Sequence, residues 1–151
     1  PALAAYHRAL ALQPDYPKVQ QTAAEIYLQQ QRYDRVLATL DRLHDTHGID
    51  AASARVDLLR GIALKQEGRT DDAKVSFRRA ITKDASDPDP LIELASLELK
   101  DSQVEKARSA LQQAAEIAPE RFKDGILLEE FQKAEQRIAN ESTGNEARQR
   151  H

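Results

Sequence analysis

The stretch Ala54–Asp87, ARVDLLRGIALKQEGRTDDAKVSFRRAITKDASD, decides the fold. It reads as two short amphipathic helices joined by a tight turn at Glu67-Gly68-Arg69. In the first helix Val56, Leu59, Ala63 and Leu64 recur at three- and four-residue spacing, the period that gathers side chains on one helical face. In the second, Ala73, Phe77, Ala80 and Ile81 do the same. A pair this short cannot bury both apolar faces by itself, so it needs stacked neighbours of the same kind.

The neighbours are written into the chain as copies. Ala73 recurs as Ala107, Phe77 as Leu111, Ala80 as Ala114 and Gly61 as Ala95, each 34 residues on. Towards the N-terminus, Ala73 answers to Val36 at a step of 37 and then to Ala2 at a step of 34. Pro14 and Pro119 close the second helix of two of these units, as a residue without an N–H must.

This period, with small residues inside both helices and a proline after the second, resembles the tetratricopeptide repeat, over roughly Pro1–Pro119. The resemblance implies an all-α fold, a solenoid of antiparallel helix pairs coiled into a right-handed superhelix. The divisions expected are a partial repeat at 1–16, repeats at 17–50, 51–87 and 88–121, and a capping helix at 122–140. These make up a repeat domain over 1–140, and a polar tail, NESTGNEARQR and the final His151, follows at 141–151 or just before.

Composition agrees with an all-helical chain. Its 151 residues are about one domain's length, rich in Ala, Leu, Gln, Glu and Arg and with aromatics at only 5%. A net charge of −3 gives no general attraction to phosphate backbones, and no basic stripe stands out, so nucleic acid is not an expected partner. No apolar run is long enough to span a bilayer, so no membrane contact is expected from this stretch. The absence of cysteine fits cytoplasm and periplasm alike, so the compartment stays open. With no methionine and a start at Pro1 inside a repeat, the chain reads as a piece of a longer polypeptide.

Taken in order, residues 2–12 look like a second helix without its first, with Leu3, Tyr6 and Leu10 on one face. Exposed apolar faces of this kind tend to be covered, so self-association through these three residues is one expectation. Helices follow at Lys18–Gln30 and Asp34–Asp45, around a turn at Gln31-Arg32-Tyr33. Val36 and Leu43 stand where the family favours alanine, which implies a wider helix spacing. Gly48 reads as a left-handed helix stop. The three extra residues behind the step of 37 fall near Ile49–Ser53, where they are expected to lengthen the next helix. The last full pair is Pro88–Lys100 and Val104–Ile117, capped by Asp87 or Asp89. In the final helix Leu127, Phe131, Ala134 and Ile138 share a face. Glu129 replaces the small residue of earlier copies, which marks that helix as a cap with one wet side. The tail is expected to be frayed or a linker.

Two clusters invite a chemical reading and neither sustains it. Asp41, His44, Asp45 and His47 carry metal-ligand atoms, but histidines in a last helical turn are favoured by the helix dipole alone. Asp84, Ser86, Asp87 and Asp89 suggest a calcium loop, yet the glycine of the sharp turn is missing and Ala95 stands where a bidentate glutamate belongs. No phosphate loop, nucleophile elbow or HExxH is present. The expectation is a non-enzyme with no cofactor and no metal.

What the resemblance leaves is a surface. It implies that first helices line a concave groove holding a peptide or a partner helix. The matching positions are Lys18, Gln21, Glu25 and Leu28; Arg55, Leu58, Ile62 and Lys65; and Ile92, Ser96 and Leu99. Some members of the family hold a C-terminal carboxylate in a clamp of lysine, asparagine and arginine. Here Glu25 replaces the asparagine, and Leu59, Asp89 and Glu93 occupy other clamp positions, so the clamp is absent. The function expected is a protein-interaction scaffold whose ligand carries acidic residues near Lys18, Arg55 and Lys65. The alternatives are a structural spacer, a self-association module, or an accessory domain of a larger enzyme or secretion-related protein.

Overall fold

In a computed structural model of the chain, residues 4, 5, 7, 8, 11, 16–123 and 125–150 are described. Among them all the regular structure is helical, without strands. The helices are α1 (Pro17–Gln29), α2 (Tyr33–His47), α3 (Ala54–Gln66), α4 (Thr70–Lys83), α5 (Asp89–Lys100), α6 (Val104–Ile117) and α7 (Ile126–Gln149), with a 3-10 turn at Pro119–Phe122. The chain divides into two compact units, Pro1–Ala85 and Ser86–His151. Leu3, Tyr6 and Leu10, the face expected to self-associate, lie outside the described residues.

The first unit holds the pairs α1/α2 and α3/α4. Its core is Ala23, Ala24, Tyr27, Val36, Leu40, Leu43, Ala52, Val56, Leu59 and Ala63, all buried. Within the pair α3/α4, Gly61 meets the ring of Phe77 so closely that a Cβ at position 61 would lie 2.5 Å from it. Phe77, Ala73 and Ala80 are fully buried around that contact. A side chain is absent from one helix because a large ring fills the space from the other.

The turns repeat as faithfully as the helices. Gln31, Gly68 and Ser102 all have positive φ, of 58°, 77° and 59°. They stand at the same place in three successive helix hairpins. In each, the following N–H bonds back across the helix end: Arg32 to the Tyr27 carbonyl at 2.9 Å, Arg69 to Leu64 at 2.9 Å, Gln103 to Glu98 at 2.7 Å. This six-residue closure satisfies carbonyls that a helix C-terminus otherwise leaves orphaned.

Two local expectations are corrected. Gly48 does have positive φ, 86°, but its ψ of 152° is extended rather than left-handed helical. The three extra residues do not lengthen α3, which starts at Ala54 behind Ser53, whose hydroxyl accepts the Val56 N–H at 3.3 Å. Residues 48–53 form a loop instead, and it is tied down from α4. Lys83 Nζ donates to the carbonyls of Ile49 at 2.6 Å and Ala52 at 2.8 Å. The same ammonium makes a 2.7 Å ion pair with Asp57, which is fully buried on α3.

The second unit pairs α5 with α6 and continues through the 3-10 turn into α7. Asp87, not a residue of the helix itself, receives the Asp89 N–H at 3.0 Å before α5 begins. Ala107, Ala110, Leu111 and Ala114 bury one face of α6. The tail is a correction on a larger scale. The residues expected to fray continue α7 as far as Gln149, because Glu, Ala, Arg and Gln all favour helix. At the other end, Phe122 belongs to the 3-10 turn rather than to the helix.

Candidate functional site

In the first unit, the positions matched to a groove carry side chains that bond to one another. Arg55 Nε donates to Glu25 Oε1 at 3.0 Å, and Ser53 Oγ donates to Gln21 Oε1 at 2.9 Å. These bonds lace α3 to α1. Leu58 is 1% exposed, so it is a core residue and offers a ligand no surface. Leu28, Ile62 and Lys65 are half-buried, and Lys18 is exposed. The charge pattern expected to orient an acidic ligand is weakened here, because Glu25 already neutralises Arg55.

The second unit is different. Ile92, Ser96 and Leu99 stand at four- and three-residue spacing on α5, and all three line one groove of about 400 Å3. Ala95 and Leu111 form its floor. The opposite wall is α7, through Leu127, Phe131, Ala134 and Ile138, the same face that the spacing had picked out for a cap. Phe131 is buried and anchors that wall. Charged side chains of both signs surround the opening: Lys100 on α5, and Glu130, Arg137 and Glu141 on α7. An apolar floor inside a ring of mixed charge suits an amphipathic chain.

Ion pairs hold the walls in place from outside. Arg108 on α6 joins Glu135 on α7, and also Glu105 at 3.1 Å on its own helix. Arg121, from the 3-10 turn, joins Asp89 at the start of α5. That pairing removes Asp89 from any role resembling a carboxylate clamp, where it would in any case carry the wrong sign.

Sequence reasoning named Ile92, Ser96 and Leu99 but missed the α7 wall and Lys100. It read α7 as a terminal capping helix with one wet side, although Leu127, Phe131, Ala134 and Ile138 already shared one apolar face. That face was the available signal.

The histidine cluster resolves into separate roles. Asp41 pairs with Arg60 across to α3, whereas His44 points inward, 9% exposed, with no hydrogen-bond partner on Nε2. Burial and the nearby Arg60 push its pKa below the usual value of 6.5, with Asp57 opposing and Arg79 and Lys83 adding to the fall. Among the described residues no group of three or more His, Asp or Glu side chains is arranged to hold a metal ion. None of the described helices is long and apolar enough to cross a membrane.

Comparison with known proteins agrees with this architecture. A family model for the tetratricopeptide repeat matches residues 2–59 and 64–124. The crystal structure of MamA superposes with a TM-score of 0.71 at 16% identity, covering 97% of this chain and 90% of that one. TTC0263, a thermophilic tetratricopeptide repeat protein of Thermus thermophilus, gives 0.69 at 23% identity, covering 88% and 71%. MamA from Desulfovibrio magneticus, residues 41 to the end, gives 0.68 at 18%, covering 82% and 67%. No curated protein sequence matches the chain.

Proposed function

The chain belongs to the tetratricopeptide repeat family, and from that premise we propose that its second unit holds a peptide or partner helix in the groove between α5 and α7. Repeats of this family generally mediate protein–protein interaction and are typically not enzymes. The observation that carries the finer reading is the groove itself, an apolar recess of about 400 Å3 with a charged rim.

Ile92, Leu99 and Ile138 are half-buried, so each still offers apolar surface to an incoming side chain. Such anchors supply most of the affinity, and the rim of Lys100, Glu130, Arg137 and Glu141 selects orientation. Because both signs are present, the ligand carries charge of both signs around its apolar residues. A shallow site of this size supports binding on the order of micromolar, roughly −8 kcal/mol. Neither nucleic acid nor membrane is part of this reading. The first unit, with Arg55 and Gln21 engaged by its own residues, favours a second role as spacer.

The test uses peptides selected from a random display library on the intact chain. Leu99→Glu and Ile138→Glu place a charge on the groove, and each is expected to weaken a selected peptide at least about tenfold, or about 1.4 kcal/mol. Gln112→Glu on α6 and Val75→Glu on α4, both exposed second-helix positions, are expected to change affinity less than about twofold. Far-UV circular dichroism of all four should match the parent. Binding lost in the second-helix variants and kept in the groove variants overturns the proposal.

A further inference from the structure

The three helix hairpins enter their second helices through the same backbone, so side chains at matching positions compare directly. Arg32, Arg69 and Gln103 stand just before α2, α4 and α6, with φ of −94°, −86° and −90° and ψ of 69°, 69° and 66°. Three residues further on come Arg35, Asp72 and Lys106. In the α3/α4 hairpin the two positions make an ion pair. Arg69 donates to Asp72 Oδ2 through Nε at 3.1 Å and through Nη2 at 2.9 Å. This backbone therefore brings a guanidinium at the first position within reach of whatever the second position carries.

In the α1/α2 hairpin the second position carries another arginine. The guanidinium carbons of Arg32 and Arg35 lie 5.5 Å and 5.9 Å from the centroid of one ring, Tyr27. That ring is buried, and its hydroxyl shares a 3.2 Å hydrogen bond with His7 Nε2, which fixes its place. The other hairpins have Leu64 and Glu98 in the column of Tyr27. A cation–π contact attracts each guanidinium but leaves the N–H donors at its edge unfilled. Among the described residues no carboxylate fills them. Glu25 is engaged by Arg55, and Asp34 is exposed and pairs with neither arginine. Two like charges thus stand where the next hairpin sets opposite ones, and such a pair repels.

We propose that Arg32 and Arg35, held against Tyr27, form a binding site for a phosphate monoester. The ligand takes the place that the Asp72 carboxylate holds in the next hairpin, and accepts from both guanidiniums at once. A carboxylate has two oxygens, which one arginine fork already fills. A phosphate monoester has three terminal oxygens and close to two negative charges, enough for two forks. Because Tyr27 holds both guanidiniums before the ligand arrives, less side-chain freedom is lost on binding. The phosphate is carried either by a modified side chain of a peptide or by a small phosphorylated molecule, and the chemistry of recognition is the same. The site lies in the first unit and does not rest on the groove of the second.

The test is an NMR titration of the full chain with inorganic phosphate near pH 7, at an ionic strength held constant with sodium chloride. The Nε–H signals of Arg32 and Arg35 are expected to move along a saturating curve, with a Kd on the order of a millimolar. Those of Arg55 and Arg69, already paired with Glu25 and Asp72, are expected to stay in place. Arg32→Gln should weaken binding at least about fivefold. Arg35→Asp rebuilds the Arg69–Asp72 pair in the first hairpin, so it should melt no lower than the parent and lose phosphate binding. A phosphoserine peptide and glycerol phosphate, titrated in turn, identify the source. Tighter binding of the peptide assigns the site to a modified partner, and equal or tighter binding of glycerol phosphate assigns it to a small molecule. Linear shifts shared by all exposed arginines, or an unchanged titration in Arg32→Gln or Arg35→Asp, overturn the proposal.

Discussion

At the scale of single residues, stability rests on exchanges of size and charge between facing helices. Gly61 and Phe77 form one such exchange. The corresponding positions are Ala24 with Leu40 in the preceding copy and Ala95 with Leu111 in the next, so a smaller partner on the second helix goes with a larger one on the first. Gly61→Ala is therefore expected to lose about 1–3 kcal/mol by overpacking, despite its better helix propensity. Adding Phe77→Leu should restore most of it, as read from urea unfolding. The buried Asp57 stands in the column of Gln20 and Leu91 and exchanges charge instead. Lys83→Met should cost about 3 kcal/mol by stranding that carboxylate, and the double change Asp57→Leu with Lys83→Met should recover most of the loss. The histidine adds a pH dependence whose sign is fixed. Its folded pKa is depressed, so the unfolded chain binds the proton more readily; stability is complete above pH 6.5 and falls as pH drops below it. Thermal melts of His44→Gln should show a flatter acid side. Gly61, Phe77 and His44 were singled out in the sequence, whereas Asp57 and Lys83 were not. A periodicity argument counts apolar positions, and a column that reads Gln20, Asp57 and Leu91 drops out of the count.

At the scale of elements, most of the structure was legible. The repeated columns placed α1 to α6 to within a residue or two, because small residues must recur wherever two helices cross closely. The turns follow from the same register. Gln31 and Ser102 adopt positive φ where the middle copy has Gly68, and a side chain there is strained by roughly 1–2 kcal/mol. Part of that strain is offset by the greater freedom glycine brings to the unfolded chain, so Gln31→Gly and Ser102→Gly should each stabilise by about 0.5–1 kcal/mol. Gly68→Ala should destabilise by a similar amount, and chemical denaturation of the three variants checks the set. Two elements were not legible. The loop 48–53 depends on Lys83, which lies about thirty residues further along the chain. The length of α7 depends on helix propensity in a stretch with no apolar pattern, and patterning alone ends that helix too early.

At the scale of the whole molecule, the sequence yielded the family and the class of function, and only part of the site. Ile92, Ser96 and Leu99 were named because they occupy first-helix positions, and they do share a groove. Leu58 was named for the same reason and is buried. Position within a repeat says which side of a helix a residue takes; how much room lies beyond it depends on the neighbouring helix, and no period encodes that. The far wall of the groove came from α7, a helix first read as only a cap. The most direct test is the hydrogen-exchange footprint of a library-selected peptide on the intact chain. Protection gained along 89–100 and 126–141, with α2, α4 and the exposed face of α6 unchanged, is the predicted result. Protection confined to those second helices, with α5 and α7 untouched, would contradict it.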